Sequence, residues 1–216
     1  NPAIHGARVP LTVTAWEVPG EPVTAAVAAT QEYEPFAIGS LFGRPWGTTW
    51  FRMSGTVPED WAGRAVDAVL DLGFGHSPGL QSEGLLWEVA DDGSWAPVRG
   101  LHPLNRDVFV SSAATGGEAV QYVVEAASNP AIAHTRPDPN SDLLTAATGP
   151  IYGLSRAELV VVNTDVVALI EDIRALNGLM LELPLDQQRR HEILRAIEAM
   201  MDRHLPADIP GTAAAA

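Results

Sequence analysis

Short runs that alternate apolar and polar residues, separated by turn sequences, fill the chain from Trp46 to Ala127. Successive side chains of a β-strand point to opposite faces, so a period of two predicts strands with one buried face. Asp92-Gly93 stands between two such runs, and this dipeptide indicates a tight hairpin turn. The runs are TTWFRMSGTV, RAVDAVLDLGF, EGLLWEVA, SWAPVRGL, RDVFV and AVQYVVEAA, with LTVTAWEV before them and IYGLSRAELVVVN after them. Short strands with regular turns favour a sandwich or a jelly roll.

The spacing of apolar residues changes to three and four after Asn163, which predicts helices. Thr164 or Asp165 is a suitable N-cap for the first helix, and Pro184 ends it. Asp186 is the expected N-cap of the second helix. The first apolar stripe consists of Val166, Leu169, Ile170, Ile173, Leu176 and Met180, and the second of Ile193, Leu194, Ile197, Met200 and Met201.

These patterns predict a mostly β fold, in which a β-sandwich or jelly roll precedes a C-terminal pair of α-helices. Residues 1–163 form the predicted sandwich domain, 164–206 the helical hairpin and 207–216 an unstructured tail. The alanine-rich stretch 23–34 fits a strand or a short helix equally well. The chain starts at Asn1 and stops in GTAAAA, from which we expect a fragment of a longer polypeptide.

Composition excludes several functional classes. The 216 residues contain no cysteine, which rules out disulfides, thiolate nucleophiles and cysteine-bound metals. The net charge is −14, and all 13 basic residues are arginine, so nucleic acid and anionic membranes are not expected as partners. No apolar run reaches the roughly 20 residues of a membrane span. A cytoplasmic location agrees with these features.

Two loop motifs near residue 75 resemble catalytic signatures but do not satisfy their chemistry. Gly75-His76-Ser77-Pro78-Gly79 matches the nucleophile elbow G-x-S-x-G, yet Pro78 has no N–H to donate to an oxyanion. Gly73-Phe74-Gly75 begins like a dinucleotide fingerprint, but the third glycine is misplaced and no helix follows. The six histidines form no pair with metal-ligand spacing.

Glu83 is the carboxylate that stands out. A glycosidase needs two carboxylates across a pocket, and Glu83, Glu88, Asp91 and Asp92 are close in sequence. Solvated charge is the simpler interpretation of the last three, because they lie on an outer face or in a turn. Glu83 precedes the apolar run GLLW at a loop-to-strand junction. It could accept a hydrogen bond from a sugar hydroxyl, or it could cap the backbone amides of the loop.

Tryptophans are concentrated in the predicted sandwich. Trp50 alternates with Phe51, so the two rings should face opposite sides of one sheet, one in the core and one outside. Burial in the core is the default for any indole, because its large area stabilises a sandwich. An indole on the outer face would mark a sugar platform or a surface covered by a neighbouring domain. Trp46, Trp50 and Trp87 are therefore candidates for substrate binding or a domain interface.

The segments FAIGSLFGRPWGTTWFRMSGTVPEDWAGRAVDAVLDLGF and GLQSEGLLWEVADDGSWAPVRGLHPLNR resemble the N-terminal domain of glycoside hydrolase family 38 α-mannosidases, in the bacterial, fungal and cytosolic branch. The order P-W-G-T-T-W-F-R, V-P-x-x-W-x-G-R, E-G-L-L-W and G-L-H-P carries the resemblance, together with LPLDQQRRHEILRAIEAMMD in the helical pair. Arg106, which ends the second segment, joins the candidates for substrate binding or a domain interface. The hairpin segment 94–99 is one or two residues longer than the family form, which leaves its register open.

The resemblance implies a multidomain enzyme that hydrolyses terminal α-mannosides with retention. Its N-terminal domain would be a β-sandwich of galactose-binding-like or jelly-roll type. Its catalytic barrel would carry zinc or another divalent metal and would follow this chain. No catalytic residue, metal ligand or cofactor is therefore expected within these 216 residues, and the missing barrel is the expected partner. An α-mannoside ligand and a homo-oligomer are further partners that stay open. Two alternatives also stay open, namely a freestanding carbohydrate-binding module and a protein-interaction domain.

Overall fold

The computed structural model describes residues 3–75, 83–90, 92–130 and 149–203. Their contacts divide the chain into two compact units, one of residues 8–160 and one of residues 1–7 with 161–216. The first unit carries most of a mostly β jelly-roll architecture, and the second carries two long helices. The predicted fold class is confirmed. The predicted domain limits, residues 1–163 and 164–206, stay a prediction, and the predicted tail, residues 207–216, lies outside the described residues.

The strands within the described residues form three sheets. In chain order they are β1 (His5–Pro10), β2 (Thr12–Glu17), β3 (Glu34–Pro35), β4 (Leu41–Phe42), β5 (Gly47–Thr56), β6 (Val66–Asp71), β7 (Glu83–Val89), β8 (Trp95–Leu101), β9 (Asp107–Ser111), β10 (Ala119–Ser128), β11 (Tyr152–Gly153) and β12 (Arg156–Val162). The four-stranded sheet has the order β1-β12-β6-β9, and the six-stranded sheet the order β3-β2-β5-β10-β7-β8. A two-stranded sheet pairs β11 with β4.

The long β5 and β10 form the centre of the six-stranded sheet, where they pair antiparallel over their full lengths. The hairpin expected at Asp92-Gly93 joins β7 to β8, and Gly93 takes the positive φ of +81° that its turn requires. The side chain of Asp92 accepts a hydrogen bond from the Ser94 amide at 2.9 Å and one from its hydroxyl at 2.6 Å. The register of this hairpin, which the lengthened segment left open, shifts by one residue between Leu86 and Trp87 in the pairing of β7 with β8.

The structure decides one open alternative in the strand prediction and corrects two other parts of it. The alanine-rich stretch contains a short helix, α1 (Ala25–Ala29), followed by β3. The single strand expected over residues 151–163 is divided into β11 and β12, because the backbone changes partners between them. The Leu154 amide donates to the Ser40 carbonyl at 3.2 Å, and the Ser155 amide donates to the Asp71 carbonyl at 2.8 Å. β1 has no clear signal because Gly6 and Pro10 interrupt its alternation.

Both faces of β5 are buried at its centre, although the alternation suggested one covered and one outer ring. Phe51 is fully buried and packs edge-on against Phe42, with ring centroids 4.9 Å apart, and against Phe36 at 5.4 Å. Trp50, on the opposite face, is also fully buried, in an apolar cluster that includes Ala28 of α1. Each such side chain contributes about 1.5–3 kcal/mol by leaving water. The six-stranded sheet therefore has a second, smaller core on its outer face.

The two predicted helices are α2 (Thr164–Glu182) and α3 (Gln188–Asp202). The N-cap of α2 is Asn163, whose side-chain oxygen accepts a hydrogen bond from the Val166 amide at 3.3 Å, instead of Thr164 or Asp165. Gln187 occupies the N-cap position of α3 in place of Asp186. Within the described ranges, neither helix has the length and apolar content needed to cross a membrane.

Arg190 joins the two helices at their connection. Its Nη1 donates to the carbonyl oxygens of Met180 at 2.9 Å and Leu183 at 2.8 Å, which lie at the C-terminal end of α2. The last carbonyls of a helix have no partner within the helix, and a guanidinium both satisfies them and offsets the negative end of the dipole. No glycine ends α2, so Arg190 takes over the role of a C-terminal cap.

Candidate functional site

Three tryptophans form an indole cluster (Trp50, Trp87 and Trp95) on the outer face of the six-stranded sheet. The ring centroid of Trp50 lies 5.6 Å from that of Trp87 and 5.7 Å from that of Trp95, with tilted planes. Trp87 and Trp95 are partly buried and pack against the cluster that contains Ala28. The geometry places Trp50 and Trp87 in a covered structural core, and their role in binding or as an interface stays a prediction.

Glu125 extends from β10 beside the indole cluster, directly opposite Trp50 in the register of β5 and β10. Burial raises the pKa of its carboxyl, and the neighbouring Trp87 indole opposes the rise by favouring the charged form. Loss of hydration disfavours the charged form of a carboxyl, and a hydrogen bond to that form offsets part of the effect. Glu125 is thus tied to the packing of this face.

Trp46 is the exposed indole of the candidate set, with 42% of its surface accessible. It follows Pro45 in a turn closed by the Gly47 amide, which donates to the Arg44 carbonyl at 2.9 Å. Its φ of +64° is the only positive value found for a non-glycine residue in the described part of the chain. Proline at the second position and a positive φ at the third define a type II turn, whose third residue is ordinarily glycine. The turn therefore holds Trp46 in a strained backbone conformation and exposes its indole ring to solvent.

Arg106 supports a loop. Its guanidinium forms an ion pair with Asp71, with Nη1 2.5 Å from Oδ2, and donates from Nη2 to the Gly75 carbonyl at 2.9 Å. The other oxygen of Asp71 accepts from the Gly73 amide at 3.0 Å, so both residues fix the loop that leaves β6. The adjoining cavity measures about 10 Å³, which is too small for a sugar ring.

Glu83, the first residue of β7, is exposed and lies opposite Ala127 of β10. Among the residues that the structure describes, Glu83 does not share a pocket with the indole cluster, the Trp46 turn or Arg106. The binding or interface role of Glu83 and Arg106 therefore stays a prediction. The serine motif at residues 75–79 lies outside the described residues after Gly75.

A groove of about 470 Å³ occupies the outer face of the six-stranded sheet, next to the indole cluster. Its volume is within the range of small-molecule sites. α1 contributes Ala29 to one side, and the β7–β8 hairpin contributes Val89, Gly93 and Trp95 to another. The floor is made by side chains of β2, β5 and β10, namely Thr12, Thr14, Arg52, Ser54, Gln121 and Val123. We call this site the outer groove.

Strand register explains why the floor of the outer groove is polar. Thr12 lies opposite Ser54 in the β2–β5 pair, and Ser54 lies opposite Gln121 in the β5–β10 pair. These three exposed side chains form a polar row across three strands, which spans about 10 Å at the usual strand spacing. The next row inward contains Thr14, Arg52 and Val123 in the same register. Hydroxyl, amide and guanidinium groups thus share one face.

Arg52 is held rigidly at the inner end of the outer groove. Its Nη2 donates to the Ala29 carbonyl at 2.6 Å. The guanidinium carbon lies 4.3 Å from the centroid of the Tyr33 ring and 5.2 Å from that of Trp95, both within cation–π range. Burial raises the pKa of Tyr33, and the nearby Arg52 works against that rise. The described residues place no carboxylate in the lining of the groove, so Arg52 is its only charged group there.

A separate acidic group lies around Asp67 of β6. The pKa of Asp67 is raised to about 6, mainly by burial and also by the carboxylate of Asp107, while Arg99 opposes the rise. The pKa of Tyr122 rises to about 12 because of burial and the nearby carboxylates of Asp67 and Glu88. Despite this concentration, no three His, Asp or Glu side chains among the described residues are arranged to hold a metal ion.

The sequence reasoning did not identify any residue of the outer groove as a candidate. Arg52 and Ser54 share the face of Trp50 by alternation, which was a usable signal. The partners Thr12 and Gln121 are supplied by strands distant in sequence, and only the register brings them together. The candidates chosen for their aromatic character instead fell mainly into the packed core.

Comparison with known proteins adds an independent result. Residues 9–160 match the protein family described as "Alpha-mannosidase, jelly roll domain". Alpha-mannosidase 2C1 of Homo sapiens is 29% identical over 210 residues, which are 94% of this chain and 18% of that protein. The alpha-mannosidase of Saccharomyces cerevisiae is 24% identical over 188 residues, which are 82% of this chain and 15% of that protein.

Among solved structures, a beta-glucuronidase of Faecalibacterium prausnitzii aligns with 73% of this chain and 32% of its own length, at 13% identity and a TM-score of 0.39. The chain spans less than a fifth of the length of the curated relatives it matches. The family match covers most of the β-sandwich described above, from β1 to β12. The chain therefore belongs to the family of α-mannosidase jelly-roll domains.

Proposed function

We propose that this chain is the non-catalytic N-terminal part of an α-mannosidase that hydrolyses terminal α-mannosides with retention. The family match supports the parent activity, and the small share of each relative that the chain covers leaves room for a separate catalytic domain. Zinc or another divalent metal would belong to that domain, because the described residues here offer no suitable ligand group. No step of the reaction is assigned to this chain.

The observation that carries the supporting role is the exposed apolar surface of the helical unit. Six large apolar side chains on or between α2 and α3 are 41–76% exposed, namely Leu176, Leu179, Leu181, Leu185, Leu194 and Met201. Scattered exposed leucines are ordinary, but so many on one helix pair mark a surface that another part of the protein covers. The helices would thus connect this domain to the catalytic barrel and bury their leucines against it.

The test uses the native gene extended beyond residue 216, beside the chain itself. We expect the extended protein to hydrolyse an aryl α-mannoside when a divalent metal is supplied, and the 216-residue chain to be inactive. Hydrolysis by the chain alone would contradict the division of labour. An extended protein that is folded and metal-loaded but inactive on α-mannosides would contradict the parent activity.

The supporting surface has its own test in the extended protein. Leu181→Asp and Leu185→Asp should lower its melting temperature and its activity, because each places a charge where an apolar contact is expected. Glu182→Gln, between them in sequence, is the matched control and should have little effect. Equal, negligible effects of all three substitutions would show that the helices are not covered. A cytoplasmic location, which the absence of cysteine supports, and a homo-oligomer are part of the same proposal.

A further inference from the structure

We propose that the outer groove binds a neutral saccharide of one or two rings. The first support is its shape and position. The groove of about 470 Å³ is closed on one side by α1 and on another by the β7–β8 hairpin, and the polar row is its exposed end. A ring-sized ligand can enter over the polar row and reach Arg52 at the inner end.

The second support is the chemistry of the floor. Sugar hydroxyls both donate and accept hydrogen bonds, and the polar row offers both functions through the hydroxyls of Thr12 and Ser54 and the amide of Gln121. Arg52 adds guanidinium donors at a fixed position, since its contacts with Ala29, Tyr33 and Trp95 restrict its rotamers. Binding to preorganised donors is favoured, because fewer side chains lose conformational freedom when the ligand binds.

The charge of the chain decides between a neutral and an anionic ligand. Arg52 alone would also suit a carboxylate or a phosphate. However, the chain carries a net charge of −14, and a field of that sign repels anions from its surface. The remaining floor is uncharged and matches hydroxyls along about 10 Å. A neutral sugar uses all of these groups without opposing the field.

Trp95 sets the expected strength. Its ring already supports the guanidinium of Arg52 and packs against Trp50, so it offers the ligand an edge more than an open face. Hydrogen bonds in an open, hydrated groove therefore carry the binding, and each raises the affinity by only a small factor. We expect a dissociation constant on the order of 1 mM.

The experiment titrates the 216-residue chain with methyl α-mannoside and methyl β-galactoside, observed by saturation-transfer NMR and by tryptophan fluorescence. The choice of mannose as the first probe depends on the proposed function, whereas the site itself does not. Saturable binding of either neutral sugar is expected. Absence of saturable binding of both sugars at about ten times the expected dissociation constant would overturn the proposal. That result would leave the α-mannosidase assignment untouched, since hydrolysis by the extended protein tests it separately.

Variants locate the site. Ser54→Ala and Gln121→Ala remove exposed groups of the polar row and should each weaken binding about threefold to tenfold. Thr56→Ala deletes a hydroxyl two residues further along the same face of β5, outside the groove, and should leave the affinity unchanged. Melting curves confirm that all three variants are folded. Binding that Ser54→Ala and Gln121→Ala do not weaken more than Thr56→Ala would place the sugar elsewhere and overturn the proposal.

An anionic comparator tests the class of ligand. Glucuronate should bind no more tightly than the neutral sugars, and added salt should leave the affinity of the neutral sugars unchanged. Glucuronate binding at least ten times tighter, lost on addition of salt, would show that Arg52 selects anions and would overturn the assignment to a neutral saccharide.

Discussion

The strain at Trp46 yields a prediction that separates backbone from side-chain effects. Its φ of +64° costs an L-residue about 1–2 kcal/mol relative to the right-handed region, whereas glycine adopts it freely. Trp46→Ala and Trp46→Gly both remove the indole, so the loss of its partly buried area cancels between them. Alanine keeps the backbone strain and glycine releases it. We therefore expect Trp46→Gly to be more stable than Trp46→Ala by about 1 kcal/mol.

Thermal unfolding followed by circular dichroism measures this difference. For a chain of this size, about 1 kcal/mol corresponds to a melting temperature about 2–4 °C higher for the glycine variant. Thr56, at the exposed end of β5 and without a positive φ, is the matched control. There the order should reverse, because glycine in a strand is less stable than alanine by about 0.5–1 kcal/mol. An alanine variant at position 46 that equals or exceeds the glycine variant would refute the strain argument.

Three further predictions concern packing, capping and pH. Trp50→Ala should lower the free energy of unfolding by about 3–5 kcal/mol, because it empties a fully buried site, whereas Phe109→Ala, at a side chain 69% exposed, should change it by less than about 0.5 kcal/mol. Arg190→Ala should speed amide exchange in the last turn of α2 about tenfold by freeing its carbonyls, and Arg189→Ala, which removes only an exposed pair, should not. Asp67 has a folded pKa of about 6 above its ordinary 3.8, so the folded state binds the proton more tightly and loses stability as the pH rises from about 4 to 6. Asp67→Asn should then raise the free energy of unfolding at neutral pH by about 1 kcal/mol, after allowance for its partial exposure, and change it little near pH 4. Melting curves recorded at several pH values measure this, and a uniform effect at all of them would contradict it.

Local chemistry explains which parts of the fold the sequence predicted. The Asp92-Gly93 hairpin, the strands on either side of it and the change to helical spacing after Asn163 are encoded within a few residues, and all are confirmed. The short strands β3 and β4 were not predicted, and β11 was not separated from β12, because two residues carry no periodicity. Their existence depends on partners distant in sequence, as when Tyr152 of β11 pairs with Phe42 of β4.

The candidate site shows the same limit more clearly. Alternation correctly put Trp50 and Phe51 on opposite faces, but it could not reveal that α1 covers the outer face at Trp50. Aromatic residues were selected as ligand contacts, although their large area makes them the residues that a second core recruits first. Thr12 and Gln121 carry no signal of their own and gain meaning only beside Ser54.

Two kinds of exposed surface suggest two kinds of partner. The leucines of the helical unit are apolar, and their exposure to water is unfavourable. This favours a permanent contact with another part of the same polypeptide. The polar row of the outer groove is well hydrated when empty and gains little when filled, which suits a ligand that exchanges. A jelly roll of this kind can therefore be fixed to an enzyme through its helices while one face of its larger sheet stays available for sugar. The two roles separate experimentally, because substitutions at Leu181 should affect the extended protein and substitutions at Ser54 should affect only sugar binding.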